Sequence, residues 1–272
     1  MAVETYQQKD RTHRAELFLT CPACGGKGTF STWDCIDGGN NEEMKQRLLH
    51  DERLFFYECP HCHQQIHIES PCLYIDKGKN FMVWHIPDPK TPVTSQEVCA
   101  FLGEDSFAAY QCRAALTWGE WREKIIEIES GYDDRLYELI KYGAYQLIKE
   151  GDREKLPLEA YHIDFSENGS PADVSLVFLE KDRKGMGYVY DVTSKVKEVT
   201  TDIFLPLLQR IPAMNEMGRF DRFSYSWAQQ FMTQVLQAAS SGQEKDVYGK
   251  LLAFWVQTLA KELFHADINT AG

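Results

Sequence analysis

Apolar and polar residues alternate in short runs over the first third of the chain. Residues 28–36 (GTFSTWDCI), 53–58 (RLFFYE), 65–76 (QIHIESPCLYID) and 79–86 (KNFMVWHI) read as strands, with a turn at Lys77-Gly78-Lys79-Asn80. One helix interrupts them, at residues 40–52 (NNEEMKQRLLHDE), with Asn40 or Asn41 as its cap and acids in its first turn, where the helix dipole favours them. Three prolines in residues 86–94 mark a linker. Residues 94–103 predict a short helix capped by Ser95, with Cys99 on its core side, and FAAYQCRAAL after it fits helix or strand.

Beyond residue 117 the spacing becomes helical. Trp118, Trp121, Ile125 and Ile128 form one stripe. Gly131 ends that helix, Asp133 caps the next, and Tyr132 and Tyr137 stand where a hydrophobic staple would. Leu136, Leu139, Ile140, Gly143, Ala144, Leu147 and Ile148 then share a side, which predicts an antiparallel helical hairpin. From Leu158 the chain reads as three antiparallel strands and then helices, the first broken at Pro206. The last helix is apolar on more than one face, which suits burial in a core and also offers a surface for self-association. The fold class is α+β, in three parts: a β module over residues 1–92, a helical hairpin over 93–155, and strands with C-terminal helices over 156–272.

Composition narrows the class. The chain has 272 residues, 43% of them hydrophobic, enough for a sizeable core. No stretch approaches the roughly 18 apolar residues of a membrane span, and the polar N-terminus has no apolar signal region, so a cytoplasmic protein is expected. The formal net charge is −12, which gives no basic face for general nucleic-acid binding and suits a protein partner with basic patches.

All eight cysteines fall within the first 112 residues. In a reducing compartment paired cysteines point to metal rather than to disulfides. Two steps repeat the same chemistry, Cys21-Pro22-Ala23-Cys24-Gly25 and Cys59-Pro60-His61-Cys62-His63. Proline sets a tight turn between two thiolates, and glycine after the second, Gly25 in the first step, can take φ > 0 and let backbone N–H groups approach the sulfurs; in the second step His63 stands where that glycine is expected. Together Cys21, Cys24, Cys59 and Cys62 close a tetrahedral zinc sphere. A thioredoxin-like pair would need a helix opening at one motif, and neither has it. Four thiolates leave no open position, so one structural Zn2+ is expected and no catalytic residue is assigned. His61, His63, His67 and Cys72 invite a second metal, but alternate strand histidines are ordinarily solvated. Cys35 and Cys72 read as core residues. Gly25-Gly26-Lys27-Gly28 lacks the full phosphate-loop pattern and reads as a turn.

Residues 20–76 resemble the CpXC domain, a bacterial family named for its Cys-Pro-x-Cys pair. The resemblance rests on CPACG, RLLHDE, ECPHC and PCLYIDK, and it continues into YQCRAALTWGEWREKIIEIESGYDDRLYELIKY, covering most of the first 150 residues. It implies a zinc ribbon with Cys21, Cys24, Cys59 and Cys62 as ligands. His63 departs from the glycine usual at its position, which bears on the turn and removes no ligand.

Three functions follow from these residues. The first is a binding or adaptor protein working through protein–protein contacts on a zinc-stapled module. The second is a nucleic-acid-associated zinc ribbon, for which Lys27, Lys45, Arg47 and Arg53 are the nearest basic residues. The third is an enzyme with a zinc-independent acid/base site among Arg122, Glu123, Lys124, Asp133, Asp134, Arg135 and Glu138. The plainer reading of that last group is a solvated helix face with pairs such as Glu120–Lys124 and Glu138–Lys141.

Overall fold

A computed structural model describes residues 10–88, 99, 109–157, 161–166, 173–181, 187–210, 220–241 and 245–266. The chain is mixed α+β and divides into two compact units. Unit 1 comprises residues 1–122 and 214–221, and unit 2 comprises residues 123–213 and 222–272.

Unit 1 is built on a five-stranded sheet. Its strands are β1 (His13–Thr20), β2 (Lys27–Asp37), β5 (Cys72–Asp76), β6 (Phe81–His85) and β7 (Gln111–Ala115), adjacent in that order. The β1–β2 and β5–β6 pairs are antiparallel, whereas β2–β5 and β6–β7 are parallel. Parallel neighbours need a crossover. Between β2 and β5 the chain inserts helix α1 (Glu42–His50), a 3-10 turn (Glu52–Phe55) and a second sheet of β3 (Phe56–Glu58) and β4 (Gln65–His67). Asn41 is the cap of α1, its Oδ1 accepting from Met44 N at 3.0 Å.

Two strand readings therefore shorten. RLFFYE is half 3-10 turn, and QIHIESPCLYID is two strands in different sheets, broken between β4 and β5. FAAYQCRAAL contributes strand β7, which joins β6 beyond the proline-rich stretch. For that reason the sheet of unit 1 extends past residue 92. Cys35, Leu73, Ile75, Met82 and Cys112 form a core cluster, with Cys99 packed against it. Cys35 and Cys72 are fully buried. The rest of the helix expected at residues 94–103 lies outside the described residues.

Unit 2 contains the C-terminal part of α2 (Trp118–Glu129) and all of α3 (Asp134–Leu147), α4 (Glu150–Arg153), α5 (Ser194–Arg210), α6 (Tyr225–Ser241) and α7 (Lys245–Phe264). Asp133 caps α3, accepting from Arg135 N at 2.9 Å, and the Tyr132 and Tyr137 rings meet edge-on at 4.7 Å as the staple requires. The three strands are β8 (Tyr161–Phe165), β9 (Val174–Leu179) and β10 (Gly187–Asp191), antiparallel in the order β10-β9-β8. Helix α5 runs unbroken through Pro206, contrary to the expected interruption, since a proline removes one backbone donor without ending the helix when packing holds both sides; Phe204 and Leu208 are buried. On α7, Leu252, Trp255, Leu259 and Leu263 face the core while Val247, Leu251 and Phe254 are exposed. Gly143 of α3 makes that packing possible: a Cβ there would meet Leu259 and Trp255 side chains at 2.5 Å. No helix among the described residues is long and apolar enough to cross a membrane.

Candidate metal centre

The two Cys-Pro-x-Cys steps occupy equivalent places. Cys21 and Cys24 sit in the loop joining β1 to β2, and Cys59 and Cys62 in the loop joining β3 to β4. Each loop closes with the same pair of backbone bonds. Cys21 N donates to Gly26 O and Gly25 N to Cys21 O, both at 2.8 Å; Cys59 N donates to Gln64 O at 3.0 Å and His63 N to Cys59 O at 2.9 Å. Gly25 has φ +71° and His63 has φ +57°. His63 thus adopts the left-handed conformation that glycine supplies without strain in the other loop. Its Nδ1 lies 2.9 Å from Glu58 Oε1.

These turns bring four sulfurs together. Cys21 Sγ is 3.6 Å from Cys62 Sγ, and Cys24 Sγ is 3.7 Å from Cys59 Sγ. All four lie within 4.8 Å of one another. Sulfurs placed tetrahedrally about 2.3 Å from zinc would be separated by about 3.8 Å, so the spacing fits such an ion. Cys21 and Cys59 are buried with Tyr57, under Leu19, Phe30, Ile66 and Ile68, while Cys24 and Cys62 are exposed.

The electrostatics of the set favour a cation. The Cys24 backbone N–H draws the Cys21 thiol down to about 7, and the His61 N–H likewise lowers Cys59. Cys24 and Cys62 go the other way. The Gly26 and Gln64 N–H groups would lower them, but hydrogen bonds given to neighbouring sulfurs, together with burial, prevail, and Cys62 is pushed up to about 12. Four sulfurs this close cannot all be thiolates unless a positive charge sits among them. A dication makes that possible, and the four cysteines can hold one, consistent with zinc.

The other histidine expectations change. His61 and His63 stand in the turn, not on the strand, so they do not share a strand face with His67. Among the described residues, no cluster of three metal-ligating side chains includes His61, His63, His67 or Cys72.

A second ionisable cluster lies in unit 2. Glu123, Lys124 and Glu127 of α2 meet Glu138 and Lys141 of α3, with side chains at most 6% exposed. Lys124 Nζ lies 2.5 Å from Glu127 Oε2 and 2.6 Å from Glu138 Oε1. Lys141 Nζ lies 2.5 Å from Glu123 Oε1 and 3.4 Å from Glu138 Oε1. Glu123 Oε1 also accepts from Ile163 N at 2.6 Å, tying β8 to the pair. The expected solvated face is therefore a buried network. Glu138–Lys141 is one of its contacts, but Lys124 turns to Glu127 and Glu138, while Glu120 accepts from Leu116 N. The carboxylates of Glu123, Glu127 and Glu138 come close enough for a metal, yet two ammonium groups already occupy the cation's role. Asp134 is buried and its charge acts on Lys124, whereas Asp133 caps its helix and pairs with Arg135 at 2.6 Å.

Both features fall in one stretch of sequence that has relatives. Residues 19–141 match the CpXC protein family. The chain carries a CpXC region. It contains both cysteine pairs and runs to Lys141, so it also takes in every member of the buried network. No curated protein and no solved structure matches the chain.

Proposed function

We propose that this CpXC protein is a zinc-stabilised cytoplasmic binding or adaptor protein, acting through protein–protein contacts, in which one Zn2+ staples a β zinc ribbon. Cys21, Cys24, Cys59 and Cys62 are the ligands, and the ion is structural. The observation that carries this reading is the closed set of four sulfurs within 4.8 Å of one another, which leaves no coordination position for substrate or water. Held in this way, the two turns become rigid loops on a scaffold, a common form of recognition surface. The acidic balance of the chain favours a partner with basic patches.

The test is capture of a protein partner from native cytosol by the full, metal-loaded chain, set beside the same chain stripped by a chelator, with metal analysis of both. Partner retention that depends on the metal supports the adaptor reading. Capture of nucleic acid instead, surviving at low salt on single- and double-stranded oligonucleotides, would replace it with the nucleic-acid reading.

A further inference from the structure

The glycine-rich stretch Gly25-Gly26-Lys27-Gly28 does more than turn the chain. At two of its glycines the second hairpin lies directly against the first. A Cβ on Gly26 would stand 2.9 Å from His61 Cγ, closer still to Cδ2, and 3.2 Å from Cys24 Sγ. A Cβ on Gly28 would stand 2.9 Å from Tyr57 Cζ and closer still to its hydroxyl. Only a residue without a side chain leaves room for either ring. Tyr57 belongs to β3 and His61 to the turn that follows it, so both rings cross from one hairpin to the other. Tyr57 is buried with Cys21 and Cys59 as part of the core there. His61 is exposed, so its contact can be removed without emptying a core.

The His61 contact is polar as well as steric. Its Nε2 lies 3.3 Å from Lys27 O, and since a carbonyl only accepts, Nε2 is the donor. The equivalent residue of the first turn is Ala23, which has no polar group to return the bond. The imidazole therefore rests on the Gly26-Lys27 backbone, whose Gly26 N donates to Cys24 Sγ at 3.4 Å. Its own chain neighbour, Cys62, carries a sulfur 3.6 Å from Cys21 Sγ. One side chain thus ties the two cysteine pairs together by a route that does not pass through the sulfurs. Groups just outside a ligand shell act in this way, by fixing the ligands' geometry.

We propose that His61 is a positioning residue of the metal centre: seated on Gly26 and bonded to Lys27 O, it holds the second turn on the first and slows release of the ion. This rests on the four-cysteine zinc reading above and assigns a role to a residue that is not a ligand.

The experiment uses the full chain loaded with Zn2+. Competition with a chromogenic chelator reads affinity, an excess of the same chelator reads the release rate, and a Co2+-loaded sample reads the ligand set from its visible spectrum. His61→Ala is expected to lower affinity about three- to tenfold, mostly through faster release. His61→Gln, whose amide can place a donor near the position of Nε2, is expected to restore most of the loss. Gly26→Ala is expected to weaken binding by a similar factor, because its Cβ displaces the imidazole, and to add little in the His61→Ala background. The cobalt spectrum is expected to keep its four-sulfur signature in every variant. Unchanged affinity and release in His61→Ala, no rescue by His61→Gln, or additive losses from His61→Ala and Gly26→Ala overturn the proposal. A cobalt spectrum altered by His61→Ala also overturns it, because the imidazole is then a ligand. A wild-type chain that takes up no ion removes the metal reading, and this role with it, whereas a wild-type chain that binds zinc no better than His61→Ala removes this role alone.

Discussion

His63 holds a backbone conformation that glycine holds in the sister loop, and it does so one residue after Cys62, a member of the four-cysteine cluster. A non-glycine residue there costs about 1–2 kcal/mol, offset in part by the contact between its Nδ1 and Glu58. His63→Gly is therefore expected to keep the metal and to raise the denaturation midpoint of unit 1, by about 1 kcal/mol in chemical unfolding. The four sulfurs were legible in the sequence because the paired spacing and the prolines state the chemistry locally. The turn at His63 was not, since a strand reading of HCHQQIH gives the same alternation, and only the closing bond from His63 N to Cys59 O distinguishes the two. Replacing Cys21 or Cys59 by serine is expected to drop bound metal from one ion per chain to well below one and to unfold the two-hairpin region, because metal-binding energy is folding energy there. Metal analysis together with near-ultraviolet circular dichroism checks both.

At the scale of elements, the α2–α3 hairpin is the place where amphipathic reasoning fell short. The caps, the Gly131 break and the tyrosine staple were all readable, because each is set by residues near in sequence. Burial of Glu123, Lys124, Glu127, Glu138 and Lys141 was not, because it depends on which faces other elements cover. A signal was present: Ile126 and Tyr137 are fully buried although neither lies on the apolar stripe read from the sequence, so these helices leave little face for solvent. Burying such charges is tolerated only when they are paired, and removing one partner leaves the rest exposed to the full desolvation penalty. Lys124→Met is expected to destabilise unit 2 by about 3–5 kcal/mol in urea unfolding, since it strips Glu127 of its ammonium and leaves Glu138 only the 3.4 Å contact with Lys141.

The network also has a pH signature. Three carboxyl groups face two ammonium groups, and Glu127 Oε1 and Glu138 Oε2 are buried with no hydrogen-bond partner among the described residues. Burial holds the Glu127 carboxyl well above the usual carboxylate range, with Lys124 opposing that shift and Glu138 and Glu123 adding to it. A carboxyl raised in the folded state contributes stability that is present in acid, below its unfolded value, and is lost as pH rises through the folded one. Glu127→Gln is expected to flatten that fall, so that the variant gains on the wild type as pH increases. Urea midpoints measured across the pH range would show a slope common to both proteins if Glu127 is not the group concerned.

For the whole molecule, the α+β class was legible and the arrangement of strands was not. Hairpins such as β5–β6 follow from a turn, Lys77–Asn80, that can be read directly. The parallel pairs β2–β5 and β6–β7 join strands whose partners lie far along the chain, and no local pattern specifies them. The compact units meet in sequence between Arg122 and Glu123, inside α2, and β7 returns to the sheet of unit 1 beyond the proline-rich stretch read as a linker. What joins the scales is the metal centre, because two distant hairpins of unit 1 are brought to one point by four side chains. X-ray absorption of the purified, metal-loaded chain tests this most directly. The account predicts one zinc per chain with four sulfur neighbours at about 2.3 Å and no oxygen or nitrogen in the inner shell. A mixed shell containing water, or a chain that folds fully without the ion, would contradict it.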